Sequence, residues 1–360
     1  MQKYFDNILF YLQRSGGGSV YWGELMRRFA ELNFDESNFI QPVSSSPNLV
    51  LSTLNLKRIV FEKYIPVKIL RYLPLSISLP EKSIFHSSYY RFSKQSSVTN
   101  FVTVHDFIYE NYRSGMARMI HQNQKLAAIN HAKGIICISN STKKDLLKFY
   151  PHVTSKKIRV IYNGVSDSFY RISDEESKTF EHYDAFKKQK FLLFIGHRTS
   201  YKNFDFAIEL VAGLCAEYKL AIVGNSLTQV ELNLLEKNLK GRYLFLGNIN
   251  NYGLNFVYNL SYALLYPSSY EGFGIPILEA YRCGCPVVAQ NVSAIPEIAG
   301  TFSLLVEGLD KEEFKRQIVS LQNSNLRQNL KEAALIWSLK FSWDNCYNEL
   351  NDFYDYCTKD

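Results

Sequence analysis

Short apolar runs, most of them unbroken and each ending in a polar or glycine-bearing turn, recur along the chain and restrict its fold. NILFYL (7–12), NFVTVH (100–105), GIICIS (134–139) and KIRVIYN (157–163) mark the first half. FLLFIG (191–196), KLAIVG (219–224), YLFLG (243–247), ALLYP (263–267) and PVVAQ (286–290) mark the second. A strand with one wet face alternates apolar and polar residues, whereas an unbroken run suits a parallel strand covered on both faces. Segments such as 202–217 and 227–240 are long enough for crossover helices. The expectation is α/β twice over: two doubly wound sheets with a cleft between them.

The domain limits follow from the same pattern. Residues 1–170 make the first domain, 171–190 a linker, 191–340 the second domain and 341–360 a C-terminal helix. The linker reading rests on RISDEESKTFEHYDAFKKQK, which is polar, charge-rich and without apolar period. In doubly wound sheets, ligands bind beyond the carboxyl ends of the strands, so the residues following each run are the ones to inspect.

Charge is divided unevenly. Residues 1–170 carry 22 Lys and Arg against 11 Asp and Glu, and residues 171–360 carry 19 against 23, so the halves stand at +11 and −4. A basic half points to an anionic partner or serves solubility alone. With 46% hydrophobic and 21% charged residues, disorder is excluded as the main state. No run approaches the roughly 18 apolar residues that span a bilayer, and MQKYFDNILFYLQ lacks a signal-peptide cleavage site. The six cysteines are too irregularly spaced for a disulfide framework, and a reduced, cytoplasmic protein is expected.

Four places can carry chemistry. Gly16, Gly17 and Gly18 lead into a helix from about Val20, where backbone amides and a helix N-terminus can meet an anion or simply make a tight turn. Tyr21 stands where a dinucleotide fingerprint needs glycine. His105 and Asp106 end the run NFVTVH, at the rim of a parallel sheet or merely satisfied by neighbours. Arg198 and Lys202 follow FLLFIG at the start of a helix, and two cations beside a positive helix end repel unless an anion joins them. A diphosphate fits, with the arginine as a bidentate fork; a solvated basic turn is the plainer reading.

The fourth place is ALLYPSSYEGFGIPILEAYRCGCPVVAQ (263–290). Glu271 precedes Gly272, Phe273 and Gly274, a helix begins near Ile275 or Pro276, and Glu279 follows on its second turn. Such a carboxylate can accept both hydroxyls of a ribose, Glu271 can hold hydroxyls of a second group, and the amides at 272–274 can meet an anion. The pair Cys283 and Cys285 has no partner ligands nearby in sequence, no D-x-D cluster follows any strand, and no metal is expected.

The segment EGFGIPILE resembles the E-x7-E signature of retaining GT-B glycosyltransferases, and the chain is similar to glycosyltransferase family 4, the group 1 transferases, in particular mannosyltransferases of bacterial surface-polysaccharide assembly. The likeness covers nearly the whole chain: the GGG loop, VHD (104–106), ISNSTKKDL (138–146), VIYNGV (160–165), GHRTSYKNF, EGFGIPILEA, GCPVVA and SAIPEIAG (293–300), in order and at fitting spacing. The resemblance implies two Rossmann-like domains facing a central cleft and retaining, metal-independent transfer from a nucleotide diphosphate sugar. It implies that Arg198 and Lys202 bind the donor diphosphate, Glu279 the ribose and Glu271 the donor sugar. His105 would sit by the reacting sugar, and Gly17 and Gly18 near the phosphates or acceptor. The family often has glycine after the lysine, where this chain has Asn203.

The HD and YKN forms favour GDP-mannose as donor over UDP-hexoses. The first domain would face the acceptor, and LNLKRIVFEKYIPVKILRYLPL (54–75) sets Lys57, Arg58, Lys63, Lys68 and Arg71 among apolar residues. That mixture suits an anionic membrane surface presenting a polyprenyl-diphosphate-linked glycan, or an ordinary helical face. A peripheral position on the inner face of the cytoplasmic membrane is the expectation. A nucleotide-sugar epimerase and a non-catalytic sugar-nucleotide or glycan binder are the alternatives, and no nucleic-acid motif accompanies the basic half.

Overall fold

The computed structural model describes residues 1–359. It divides into two compact units, residues 1–164 with 342–360 and residues 165–341. The first holds a seven-stranded sheet: β1 (Lys3–Asp6), β2 (Ser37–Pro42), β3 (Ile59–Glu62), β4 (Ile84–Ser87), β5 (Thr99–Val104), β6 (Ala132–Cys137) and β7 (Lys157–Val160). All pairs are parallel, in the order β3-β2-β1-β4-β5-β6-β7. The second holds six parallel strands: β8 (Lys190–Ile195), β9 (Tyr218–Val223), β10 (Tyr243–Gly247), β11 (Ala263–Tyr266), β12 (Val287–Gln290) and β13 (Leu304–Val306). Their order is β10-β9-β8-β11-β12-β13. Both orders reverse beside the unit's first strand, at β1/β4 and at β8/β11, and these Rossmann-type switch points are where loops diverge and ligands enter.

Ten helices of eight residues or more accompany the sheets among the described residues: α1 (Gly17–Leu32), α2 (Gly115–His131), α3 (Asn140–Phe149), α4 (Phe204–Ala212), α5 (Gln229–Leu239), α6 (Asn251–Leu260), α7 (Ile275–Arg282), α8 (Lys311–Ser320), α9 (Ser324–Ser338) and α10 (Trp343–Thr358). None is long and apolar enough to cross a membrane. In the second unit, Phe206, Ile208, Leu210 and Val211 of α4 pack on Leu192, Leu220 and Ile222 of the sheet, all buried. This covering of the sheet is what the unbroken apolar runs require.

Two expectations need correction. NILFYL is not the first strand: β1 is KYFD, and residues 9–12 form a helical turn that buries Leu9 and Phe10. Residues 171–190 are not a free linker: short helices span 174–177 and 183–188, Phe186 is buried, and Phe180 stacks on Phe256 at 5.3 Å. The C-terminal helix expected at 341–360 is present as α10, which packs within the first unit: Tyr354 Oη lies 2.5 Å from His86 Nδ1 and its ring meets Phe101 at 4.6 Å. Gly164 allows that return, since a Cβ there would lie 2.2 Å from the backbone nitrogen of Trp343.

Candidate functional site

In the second unit the signature residues gather on loops flanking the β8/β11 switch point. After β8 the chain turns at Gly196 (φ +109°), and a Cβ on Gly224, after β9, would lie 2.6 Å from the Gly196 carbonyl oxygen. Arg198 reaches from the first of these loops to the second. Its Nη2 donates to the carbonyls of Asn225 and Ser226 at 2.8 Å each, and Nε donates to Glu231 Oε1 at 2.6 Å. Glu231 is also the third residue of the α5 capping box, its Oε2 accepting from Thr228 N at 2.7 Å and Thr228 Oγ1 at 2.9 Å. Burial would raise that carboxyl, but the hydrogen bonds from Arg198 and Thr228 hold it below the ordinary value.

The guanidinium thus has most of its fork on protein partners. Two of its three nitrogens are bound to the protein, and Nη1 is the buried one left without a partner. The like-charge conflict with Lys202 is likewise resolved inside the protein, because Lys202 Nζ pairs with Glu271. The Lys202 ammonium also lies 5.2 Å from the Tyr266 ring centroid. Two cations with two carboxylates make a set of zero formal charge.

Local backbone geometry explains the departure at Asn203. It is left-handed (φ 54°, ψ 49°) where the chain enters α4, a conformation that glycine adopts freely and asparagine tolerates best among the rest. The asparagine gains contacts that glycine lacks: Nδ2 donates to Pro267 O and Ser269 Oγ, both at 2.7 Å. Ser269 N donates to Tyr201 O at 2.7 Å, so the loops after β8 and β11 are fastened together.

Glu271 N donates to Ser293 Oγ at 2.8 Å. Gly274 (φ +110°) opens α7, with Pro276 in its first turn. Phe273 is buried, its ring 6.1 Å from Phe341, so this residue can offer a ligand only its backbone. Glu279, two turns into the signature, accepts from Tyr258 Oη at 2.8 Å. Desolvation raises its carboxyl to about 7, partly opposed by the Tyr258 hydrogen bond. Sequence reading missed Glu231, Tyr258 and Ser293; the T-x-x-E of residues 228–231 was a legible helix start but carried no sign of Arg198.

In the first unit, Gly16 (φ +151°) precedes α1, whose N-terminus has no side-chain cap. A Cβ at Gly17 would meet nothing within 4 Å, whereas at Gly18 it would lie 3.3 Å from Leu9. Tyr21, on the first turns of α1, brings that helix to His105: the two rings meet edge to face at 4.9 Å. Desolvation and the Lys125 charge lower the His105 imidazole to about 4 against the opposing pull of Asp106, so it is neutral near pH 7. Lys125, fully buried, donates to Asp106 O at 2.9 Å and pairs with Glu110 at 2.8 Å.

The five basic residues of 54–75 do not form one patch. Lys57 and Arg58 precede β3 and lie at the amino edge of the sheet, while Lys63, Lys68 and Arg71 follow it at the carboxyl edge. Arg58 is turned onto Asn38, Gln2 and the Asp35 carbonyl, and Lys57 lies over the Phe34 ring. Residues 59–62 are a strand, and the only helix between 54 and 75 is four residues long (Val67–Leu70).

Loops bearing cations, carboxylates and a glycine-opened helix gather at a Rossmann switch point, where ligands enter such folds. Comparison with known proteins narrows the class. The model described as Glycosyltransferase Family 4 matches residues 15–169, and that described as Glycosyl transferases group 1 matches residues 175–337. The chain belongs to the glycosyltransferase family that joins these two domains, with the two Rossmann-like units of the GT-B fold. O-antigen chain mannosyltransferase B of Escherichia coli is 26% identical over 247 residues, 66% of this chain and 63% of that protein. O-antigen chain mannosyltransferase RfbU of Salmonella typhimurium is 28% identical over 228 residues, 61% of this chain and 60% of that protein. The match thus spans less than two thirds of the length of either relative. Among solved structures, Anabaena HepE in complex with UDP and glucose superposes with a TM-score of 0.75 over 99% of each chain at 14% identity, a likeness of fold.

Proposed function

We propose that this chain is a retaining, metal-independent hexosyltransferase that moves mannose from GDP-mannose to a glycan acceptor of surface-polysaccharide or O-antigen assembly. The observation that carries the reading is the neutral set Arg198–Glu231 and Lys202–Glu271, with Arg198, Lys202 and Glu271 on the loops that flank the β8/β11 switch point, Glu231 in the first turn of α5 and Glu279 on α7. The names of the two mannosyltransferase relatives support mannose, and a UDP-hexose is the competing donor.

In this reading the donor diphosphate takes Lys202 from Glu271 and meets Nη1 of Arg198. Departure of the nucleotide puts negative charge on the diphosphate, and cations fixed beforehand stabilise that charge without reorganising. Glu271, released, accepts hydroxyls of the donor sugar, and Glu279 accepts those of the ribose. Amides at Gly272, Phe273 and Gly274 add the partial charge of the α7 N-terminus. His105, neutral, exchanges hydrogen bonds with the sugar at the reacting centre, and Gly17 leaves room for the acceptor or phosphates at α1.

The acceptor in this reading is polyprenyl-diphosphate-linked and is met at an anionic membrane surface. The exposed residues Tyr64, Ile69 and Leu73 beside Lys63 and Lys68 supply the apolar and basic contact. A thermal-shift panel of nucleotides and nucleotide sugars tests the donor, with Arg198→Ala and Glu279→Ala as controls. A shift with GDP-mannose that both variants abolish, together with transfer lost, supports the reading. Conversion of the free sugar nucleotide would instead make the chain an epimerase, and binding without transfer or hydrolysis a silent binder.

A further inference from the structure

Three buried polar atoms without a hydrogen-bond partner belong to neighbouring residues of the first unit: Arg71 Nε, His121 Nδ1 and Gln124 Oε1. His121 and Gln124 stand three positions apart on one face of α2, and Gln124 Nε2 donates to the Arg71 carbonyl. His121 is 6% exposed; Tyr109 stacks on it at 3.9 Å and Tyr90 meets it edge-on at 5.6 Å. The Arg71 guanidinium lies between the rings of Tyr72 and Tyr89, 5.0 and 4.5 Å from their centroids, and Nη2 donates to Tyr89 Oη at 2.5 Å. Tyr72 is 48% exposed, so this corner meets solvent at that ring. Tyr89 and Tyr90 follow β4, Tyr109 follows β5, and Lys125, the residue after Gln124, holds the Asp106 carbonyl next to His105.

More than nine in ten buried polar groups are paired, and each unpaired one costs about 1–3 kcal/mol. Immediately beside this corner the pairing is complete, as Lys125 and Glu110 show. The orphaned atoms also specify a chemistry. Arg71 Nε–H only donates, Gln124 Oε1 only accepts, and the His121 imidazole, driven down to about 3 by burial and by the Lys125 and Arg71 charges, is neutral and does either. A phosphate oxygen only accepts and is repelled by Gln124 Oε1, whereas a hydroxyl both donates and accepts. Aromatic rings beside these groups suit the apolar C–H face of a sugar.

We propose that Arg71, His121 and Gln124 form a subsite for a neutral pyranose ring of the acceptor glycan, opened by turning out the Tyr72 ring. The word acceptor rests on the transferase reading; the sugar subsite does not. Arg71 thereby moves from the membrane contact expected from sequence to ligand recognition.

Saturation-transfer NMR on the whole chain tests this, with the methyl α-pyranosides of mannose, glucose and galactose as probes and inorganic pyrophosphate as the anionic competitor. The wild type is expected to bind at least one methyl glycoside. His121→Phe keeps the ring stacking and loses Nδ1; Arg71→Lys keeps the charge and loses Nε. Each should weaken binding at least tenfold while GDP and UDP affinities stay at the wild-type value, and the melting temperature of His121→Phe should be unchanged or raised. Failure of the wild type to bind any of the three glycosides, undiminished binding by both variants, or displacement by pyrophosphate overturns the subsite. Failure of the wild type to bind GDP or UDP counts against the transferase reading instead.

Discussion

The two switch points use charge in opposite ways. At β1/β4 of the first unit, Arg91 joins Asp6 at 3.1 Å and Glu62 at 2.8 Å, with all three side chains wholly buried. Ser87 donates to Asp6, Ser76 to Glu62, and Arg91 Nε to the Leu73 carbonyl, which leaves no exchangeable position on the arginine fork. At β8/β11 of the second unit, each cation has one carboxylate, the side chains are 6–16% exposed, and Arg198 keeps an orphaned Nη1. A saturated, dry cluster ties strands together. A singly paired cluster at the rim can trade partners with a ligand. Burial and hydrogen-bond saturation separate the two.

The largest effect that sharpens this contrast is on stability in the first unit. Arg91→Met leaves two buried carboxylates without a cation and should lower unfolding free energy by about 3–5 kcal/mol in denaturant titration. The equivalent change in the second unit should behave otherwise. Lys202→Ala should leave the denaturation midpoint near that of the wild type while reducing kcat by about 10²–10³, the loss typical of removing one stabilising group from a developing anion. A midpoint that falls as far as for Arg91→Met would place Lys202 in the scaffold.

A third effect is smaller and depends on pH. The folded-state pKa of Glu279 stands at about 7, above its ordinary 4.5, so between these values the folded chain holds a proton that the unfolded chain has released. Stability from this group is therefore full below about pH 4.5 and declines as pH rises towards 7 and beyond. Glu279→Gln should raise the melting temperature at pH 8 by a few degrees and change it little at pH 4.5. A gain equal at both pH values would contradict the assignment. Donor affinity should move the other way, falling in the wild type as Glu279 is protonated below pH 7.

The smallest effect concerns the left-handed turn. Asn203→Gly keeps the backbone conformation and loses the two Nδ2 bonds, for about 1 kcal/mol, whereas Asn203→Leu adds the cost of a side chain in that conformation, a further 1–2 kcal/mol or so. Equal losses in thermal melts would show that the hydrogen bonds alone matter there.

What the sequence made legible follows the same division between dry and exchangeable. The strands of the second unit from β8 to β12 were readable because their apolar runs are covered on both faces and carry little buried charge. β1 was misplaced because Lys3 and Asp6, polar in sequence, are buried in pairs with Glu36 and Arg91. β2, β3 and β4 were missed: SNFIQP, IVFE and IFHS are short and interrupted by polar residues that find partners only in the folded sheet. The signature residues of the second unit were legible because a loop after a parallel strand has a known place. Glu231 was not, since its bond to Arg198 spans 33 residues and leaves no local pattern beyond the capping box. The basic segment misled for the converse reason, as a strand separates Lys57 and Arg58 from Lys63, Lys68 and Arg71.

The proposed transfer requires the singly paired cations of the second unit to receive a diphosphate. Isothermal titration of the wild type, Arg198→Ala and Lys202→Ala with GDP-mannose, GDP and GMP, and with UDP-glucose, UDP and UMP, measures it. In the favoured series the diphosphate should bind at least tenfold tighter than the monophosphate, and Arg198→Ala should remove most of this difference while leaving monophosphate affinity near the wild-type value. Equal affinity for monophosphate and diphosphate in the wild type, or a difference that survives Arg198→Ala and Lys202→Ala intact, would contradict it.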